Sequence, residues 1–223
     1  MKPKIRIISA DFGTSNPINK NIPEQSNTDF EFEYFVYTDD NYYSRLNSLH
    51  PRLKGKIPKM LDWMENNADF YVWMDSYYTI NTDNFSEIVK YVQNQEICFG
   101  KHKDRNSITS ETDFILKGMK NGREQYLVSR YEGEPIGKQL ENYLKDETFV
   151  DNNLFSLGFF VYSKSLVKNR QHNLMTDWFL HNCYWSIQDQ ISLPYLLHKH
   201  KINYNIFNFE PIKKNPFAKY ERY

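Results

Sequence analysis

The chain has 223 residues, and its 28 basic and 28 acidic side chains leave no formal net charge. Proteins that bind nucleic acid or an anionic membrane surface usually carry an excess of basic side chains, and this sequence has none. We therefore expect neither partner. No stretch approaches the roughly 18 to 20 apolar residues that span a bilayer, and the first residues read as a strand without the apolar core of a signal peptide. Cys98 and Cys183 have no metal-like spacing, which favours reduced thiols and a cytoplasmic location.

The first half of the chain alternates predicted strands with predicted helices. Apolar runs predict strands over residues 5–10, 68–74 and 97–100, and an alternating, aromatic pattern predicts one over residues 30–38. Helices are predicted over residues 58–66, with Pro58 near the first turn, and over residues 85–93, with Asp83 as the N-cap. Because parallel strands need crossover connections, this alternation predicts an α/β fold with a mixed, mainly parallel central sheet flanked by helices.

The second half is predicted to be mostly helical. Residues 111–145 are highly charged and mainly helical, with a break near Gly133. Further strands are predicted over residues 154–162 and 202–209, and further helices over residues 166–185 and 188–200. The basic and aromatic tail is expected to be loosely held. The length suits one large domain or two small ones, and since no linker, repeat or low-complexity block interrupts the chain, we expect a single domain over residues 1–223.

The segment from Asp69 to Ile80 carries the strongest functional signal. Apolar residues 70–74 end abruptly in the carboxylate of Asp75. A buried strand that ends in this way can present a metal or phosphate ligand to a cleft, because an ionised carboxylate beside a buried strand needs a cation or hydrogen-bond donors. The alternative is an aspartate that ends the strand and caps the next turn.

Polar residues also follow the first two predicted strands, at Ser9 to Asp11 and at Thr38 to Asp40. The carboxyl ends of parallel strands converge on one crevice, so we expect these residues and Asp75 to lie around a common ligand. Cations that precede the predicted helix could hold a diphosphate together with the helix N-terminus, and these are Arg52, Lys54, Lys56 and Lys59. The alternative for any one of them is a solvated surface residue.

Three further polar clusters follow along the chain. His102 and Arg105 come after a short strand and precede Glu111, and residues 170–173 read Arg-Gln-His-Asn. The third cluster, Gln188-Asp189-Gln190, lies at a predicted helix start, where Asp189 could be the N-cap or could bind sugar hydroxyls together with the flanking amides. The high aromatic content of 17% likewise suits a carbohydrate cleft or simply an aromatic-rich core.

Several common catalytic motifs are absent from the sequence. No GxGxxG or GxxxxGKS loop occurs among the eight glycines, and neither GxSxG nor HExxH is present. Dehydrogenases, P-loop enzymes, the usual α/β-hydrolases and zincins are therefore disfavoured.

Taken in order, these segments resemble a GT-A type glycosyltransferase. More narrowly, they are similar to the glycosyltransferase-like family first catalogued as a domain of unknown function, whose plant members act on cell-wall glycans. The segments that carry the resemblance are Tyr37-Thr38-Asp39-Asp40, Lys56-Ile57-Pro58-Lys59, Trp73-Met74-Asp75-Ser76 with Ile80, His102 with Arg105 and Glu111, Arg170-Gln171-His172-Asn173, and Trp185 with Asp189-Gln190-Ile191-Ser192.

The resemblance implies a GT-A like, Rossmann-like fold that moves a sugar from a nucleotide-diphosphate donor, UDP-linked, to a hydroxyl of a glycan acceptor. The convergence of strand ends places the nucleoside near Ala10, Asp11, Thr38 and Asp39, and the further predicted donor contacts are Arg52, Lys59, Asp75 and Ser76. The predicted acceptor or phosphate contacts are His102, Arg105 and Gln188. Asp189 is the candidate catalytic residue, as a sugar contact or as the base that activates the acceptor.

The sequence departs from the GT-A pattern at one position. GT-A enzymes usually carry Asp-x-Asp, whose two carboxylates hold Mn²⁺ or Mg²⁺ against the donor diphosphate, but Tyr77 takes the place of the second acid here, as another residue often does in the resembled family. We expect Mn²⁺ or Mg²⁺ as cofactor, with Asp75, His172 and the diphosphate as ligands. Tyr77 also motivates an alternative, an inactive sugar-nucleotide-binding or interaction domain, and a third hypothesis is a sugar-nucleotide hydrolase with water as acceptor.

Overall fold

The computed structural model describes residues 1–13, 21–42, 49–121, 124–168 and 173–221. Its strands are β1 (Lys4–Asp11), β2 (Glu31–Thr38), β3 (Phe70–Met74), β4 (Tyr78–Ile80), β5 (Ile97–Lys101), β6 (Phe155–Ser163), β7 (Tyr204–Ile206) and β8 (Ala218–Tyr220). Its α-helices are α1 (Pro51–Leu61), α2 (Ile108–Lys120), α3 (Gln125–Tyr131), α4 (Ile136–Tyr143), α5 (Lys164–Lys168), α6 (Leu174–Tyr184) and α7 (Asp189–Lys199). Two 3-10 helices span Asp62–Met64 and Phe85–Val92.

Within the described ranges, six strands form one central sheet in the order β2-β1-β3-β6-β5-β7. β1 pairs in parallel with β2 and β3, and β7 pairs in parallel with β5. β6 runs antiparallel to both of its neighbours, β3 and β5. The sheet is therefore mixed and mainly parallel, which confirms the predicted fold class.

Helices cover both faces of the sheet, which explains why its central strands β1, β3 and β6 read as apolar runs rather than as alternating ones. Met60 of α1, Trp178 of α6 and Leu193 of α7 pack on one face with Trp73. The 3-10 helix Phe85–Val92 packs on the opposite face. Apart from these two layers, α2, α3 and α4 share a smaller apolar cluster that also contacts α7.

The first helix differs from its prediction because it begins seven residues earlier. Pro51 lies in its first turn, where a missing N–H costs nothing, and the His50 side chain accepts the N–H of Arg52. Pro58 lies inside the helix instead of at its start. The predicted cations therefore belong to α1 itself and do not precede it.

Three other predictions are wrong in detail. Asp83 does not cap the following helix, because its carboxylate instead accepts hydrogen bonds from Ser26 and Asn84. The helix predicted over residues 166–185 is described as two helices, α5 and α6. The tail is not loose where it is described, since β8 pairs antiparallel with β4.

No helix within the described ranges combines the length and the apolar composition needed to cross a bilayer.

Candidate functional site

An open cleft of about 740 Å³ lies at the carboxyl ends of β1 and β3. The predicted site residues that line it are Ala10, Asp11, Arg52, Lys59, Asp75, Ser76, His102, Arg105, Gln188 and Asp189. The expectation that strand ends converge is met for the two strands at the centre of the sheet, and α7 adds residues from the second half of the chain.

Two predicted donor contacts do not line this cleft. β2 is an edge strand, so Thr38 and Asp39 lie one strand farther away than the end of β1. The Asp39 carboxylate accepts a 2.7 Å hydrogen bond from the Gly13 N–H and a 2.5 Å bond from the Lys54 ammonium, which lowers its pKa. Asp39 thus fixes the turn after β1, where the positive φ of Gly13 suits glycine. The predicted metal ligand His172 lies outside the described residues.

Asp75 follows the last residue of β3, and its surroundings leave its carboxylate facing the cleft. Its Oδ1 accepts a 2.8 Å hydrogen bond from the indole N–H of Trp73. Its Oδ2 lies against the backbone of Gly158, where an added Cβ would be only 2.9 Å away. The turn that follows is closed by the Asp75 carbonyl, which accepts the N–H of Tyr78, so the carboxylate is not needed as its cap.

Asp189 is the first residue of α7 and not its N-cap, which is Gln188. One carboxylate oxygen of Asp189 accepts a 2.6 Å hydrogen bond from the Lys56 ammonium group and a 2.7 Å hydrogen bond from the Lys59 ammonium group. The side chains of Asp189, Lys56 and Lys59 are only 7%, 15% and 6% exposed. The alternative that Asp189 is the N-cap is therefore excluded, and its carboxylate joins α7 to α1.

The charges of this cluster shift its pKa values. Burial alone would raise the pKa of the Asp189 carboxyl, but the charges and hydrogen bonds of Lys56 and Lys59 outweigh burial and hold the pKa well below its usual range. Burial lowers the pKa of Lys56, and Asp189 partly offsets this effect. Asp189 therefore stays ionised at neutral pH.

The other predicted contacts form one hydrogen-bonded wall of the cleft. Arg105 donates to one oxygen of Glu111, and the Gln188 amide donates to the other at 2.6 Å. The Tyr131 hydroxyl donates to the Gln188 oxygen at 3.0 Å. Burial and the charge of Arg105 lower the pKa of His102, so its ring is neutral at pH 7. This wall therefore presents polar groups to a ligand that are held in place by hydrogen bonds, and the charges of Arg105 and Glu111 balance each other.

Sequence reasoning missed the residues that α3 and β8 bring to the cleft. α3 supplies Tyr126, Arg130 and Tyr131, and β8 supplies Tyr220. The guanidinium of Arg130 lies 5.1 Å from the ring centre of Tyr126, one helical turn earlier. The signal that could have found these residues is this spacing of four between an aromatic residue and an arginine, at the end of a charged stretch.

The described residues do not fit a divalent-cation site. Asp75 is the one predicted metal ligand among them, and one of its oxygens takes the Trp73 N–H while the other faces Gly158. Across the described ranges, no three His, Cys, Asp or Glu side chains come close enough together to hold a metal ion. Hard cations such as Mn²⁺ and Mg²⁺ need several oxygen ligands, and Asp75 supplies them with a single carboxylate.

Comparison with known proteins adds one assignment. A family model described as "TOD1/MUCI70, glycosyltransferase-like domain" matches residues 42–222. Among curated proteins, none matches the chain.

Three solved structures share a distant likeness. A197 from STIV is 9% identical, with 100% of this chain and 95% of that chain covered and a TM-score of 0.39. Mouse xyloside xylosyltransferase 1 in its apo form is 7% identical, with 81% of this chain and 64% of that chain covered and a TM-score of 0.39. The apo bifunctional glycosyltransferase WbbM is 11% identical, with 99% of this chain and 46% of that chain covered and a TM-score of 0.44. The chain thus spans less than two thirds of the length of the xylosyltransferase and less than half of WbbM. At these TM-scores the likeness carries no conclusion, and the family assignment rests on the family model.

Proposed function

The chain belongs to the TOD1/MUCI70 glycosyltransferase-like domain family, and from this premise we propose that it moves a sugar from a nucleotide-diphosphate donor to a hydroxyl of a glycan acceptor. A UDP-linked sugar is the proposed donor. The observation that carries the proposal is the cleft at the ends of β1 and β3, which combines cationic side chains with exposed aromatic rings.

The cations suit the leaving group of the proposed reaction. When the bond between the sugar and the diphosphate breaks, negative charge grows on the phosphate oxygens, and fixed cations aimed at those oxygens lower the barrier. α1 places Arg52, Lys56 and Lys59 on the cleft. In the proposal, these side chains receive the diphosphate while Ala10 and Asp11, at the end of β1, lie beneath the nucleoside.

The aromatic residues suit the sugars. Tyr77 and Tyr126 line the cleft and are exposed, so their rings can stack on a sugar face while the hydroxyls make hydrogen bonds. The fixed wall with His102, Arg105 and Gln188 supplies polar contacts for acceptor hydroxyls. Holding the acceptor hydroxyl against the anomeric carbon is itself a large part of catalysis.

Asp189 is a sugar contact rather than the base in this proposal. A carboxylate whose pKa is held well below its usual range has little affinity for a proton, so it is a weak general base while both lysines bind it. It can still accept a hydrogen bond from a sugar hydroxyl, and it orients Lys56 and Lys59. The Mn²⁺ or Mg²⁺ expected from the resemblance takes part in no step here, because the described residues do not fit it.

Transfer from a panel of nucleotide sugars to glycan acceptors tests the proposal. We expect transfer from at least one donor, and we expect Asp75→Asn to lower the rate at least about tenfold, because the negative charge of Asp75 raises the pKa of Lys56 and so helps to keep this lysine positively charged towards the leaving group. The hydrogen bond from Trp73 can be kept in this variant. Melting temperatures should be unchanged in Asp75→Asn. Asp113→Asn, on the exposed face of α2, is the matched control and should retain full activity.

The products separate the proposal from its alternatives. Release of free sugar without transfer would replace the transferase by a sugar-nucleotide hydrolase. Donor binding without turnover would support an inactive binding domain. Tyr77 motivates this alternative, because it occupies the position where GT-A enzymes usually have a second acid. No binding of any donor would contradict all three.

A further inference from the structure

Two lysines share one carboxylate oxygen at the centre of the cleft. The ammonium groups of Lys56 and Lys59 lie 2.6 Å and 2.7 Å from Oδ2 of Asp189, and all three side chains are largely removed from water. One carboxylate balances one of these cations, so the cluster holds a surplus positive charge in a poorly hydrated place. Such a charge is costly unless an anion arrives to pair with it.

The two lysines are not equivalent. Lys59 is enclosed by aromatic rings, with its ammonium 5.4 Å from the ring centre of Trp73 and 5.9 Å from that of Trp178. Lys56 is the more exposed of the two, and the negative charge of Asp75 acts on it as well as that of Asp189. Lys59 can therefore keep Asp189 paired while Lys56 turns towards a ligand, and the negative charges of Asp189 and Asp75 both act on Lys56.

Two arginines add to this surplus. Arg52 lies one helical turn before Lys56 on α1, and Arg130 reaches the same cleft from α3. Burial and then the charge of Arg130 lower the pKa of Arg52, so the two guanidinium groups repel one another. No carboxylate in the part of the chain that the structure describes forms an ion pair with either arginine. Neighbouring cations that make no ion pair among the described residues are an arrangement suited to an oxyanion that carries more than one negative charge.

We propose that Lys56, together with Arg52 and Arg130, binds the diphosphate of the donor in the place of a divalent cation, so that a nucleoside diphosphate binds this cleft without metal. The inference rests on the proposed function and deepens it. It follows from the surplus of positive side chains and from the mismatch between the described residues and a metal site.

Calorimetric titration of the unaltered chain with UDP, GDP and ADP tests this in two buffers, one with EDTA and one with Mn²⁺. We expect at least one nucleotide to bind with dissociation constants that agree within about twofold between the buffers, since the cations belong to the chain. Because this comparison uses no variant, it does not depend on whether a variant folds.

Variants then assign the contact. Lys56→Gln and Arg130→Gln should each weaken binding about tenfold or more in both buffers, the loss expected when one charge-assisted hydrogen bond is removed. Lys138→Gln, on the exposed side of α4, removes one positive charge that is not part of the cleft lining and should leave binding unchanged. Melting temperatures report whether each variant is folded.

The outcomes that overturn the inference are distinct from those that overturn the proposed function. Binding that needs Mn²⁺ and disappears in EDTA overturns the inference and leaves the proposed transferase standing. Metal-independent binding that neither Lys56→Gln nor Arg130→Gln weakens overturns the assignment of these residues. Absence of binding by every nucleotide in both buffers overturns the inference and the proposed donor class together.

Discussion

Asp189 shows how a single side chain can be recognised from the sequence while its role is not. Its position between two glutamines at a helix start suggested either a cap or a sugar contact. The side chains that decide its chemistry, Lys56 and Lys59, lie 133 and 130 residues earlier in the chain. Neither spacing nor local propensity carries information on partners at such a distance, so the ion pair could not be predicted.

Replacing Asp189 tests the ion pair through stability. Asp189→Asn would leave two largely buried ammonium groups without a counter-charge, and we expect the free energy of unfolding at about pH 7 to fall by about 3 kcal/mol. Urea unfolding measures this loss. The control Asp113→Asn removes an exposed pair with Lys117 and should change the free energy of unfolding by less than about 0.5 kcal/mol.

The same pair should give a defined pH dependence. Because the pKa of Asp189 is lower in the folded chain than the ordinary value of about 3.9, the folded state favours the ionised form. The resulting stability is present above that ordinary value and is lost as the pH falls towards the lower folded pKa. The difference in unfolding free energy between the unaltered chain and Asp189→Asn should therefore stay level from about pH 7 to about pH 5 and shrink as the pH falls further to about pH 3. A constant difference would contradict the assigned pair.

At the scale of elements, the strands were predicted better than the helices. β1, β3 and β6 are buried on both faces, so their apolar runs are continuous and easily recognised. α1 was misplaced because its buried residues include lysines, and Lys54 is held both by the Asp39 carboxylate and by the ring of Phe12. A polar residue that is buried by an ion pair looks like a surface residue in the sequence.

β6 gives a prediction at the same scale, because Gly158 lies directly beside the Asp75 carboxylate. In Gly158→Ala the new Cβ would lie 2.9 Å from Asp75 Oδ2 and 3.4 Å from the ring of Tyr78, so the carboxylate has to move. We expect nucleotide binding or transfer to fall at least about tenfold, since small displacements of site groups are costly. Titration calorimetry and transfer rates measure this loss.

Gly137→Ala is the matched control on α4. Its added Cβ would lie 3.7 Å from Leu116, an ordinary contact, and alanine favours a helix over glycine by about 0.5 to 1 kcal/mol. Gly137→Ala should keep full binding with equal or greater stability. If both variants bind equally well, the position of Asp75 does not depend on the space that Gly158 leaves.

At the scale of the whole molecule, the site could be predicted in part because topology brings strand ends together. Asp11 ends β1, Asp75 follows the neighbouring strand β3, and both line the cleft, as expected. Thr38 and Asp39 do not, because the sequence does not reveal that β2 lies at the sheet edge. β4 and β8 were missed altogether, since strands of three residues have no periodic signal and these two lie about 140 residues apart.

The pairing of β8 with β4 ties the end of the chain to the cleft and leads to the last prediction. Phe217 precedes β8, is only 6% exposed, and lies 6.0 Å from Phe85 and 5.8 Å from Phe209 between ring centres. Phe217→Ala should lower the free energy of unfolding by about 3 to 5 kcal/mol, through lost apolar burial and the cavity left behind. It should also weaken nucleotide binding, because β8 positions Tyr220 in the cleft lining.

The control for Phe217→Ala is Leu144→Ala, whose side chain is large and apolar but 46% exposed. Leu144→Ala should change the free energy of unfolding by less than about 0.5 kcal/mol, because little apolar surface loses contact. Urea unfolding of both variants measures the stabilities, and calorimetry at a temperature where Phe217→Ala is folded measures binding. Equal stability losses in the two variants would mean that the tail is not part of the core. A large stability loss with unchanged binding would mean that β8 supports the fold without shaping the cleft.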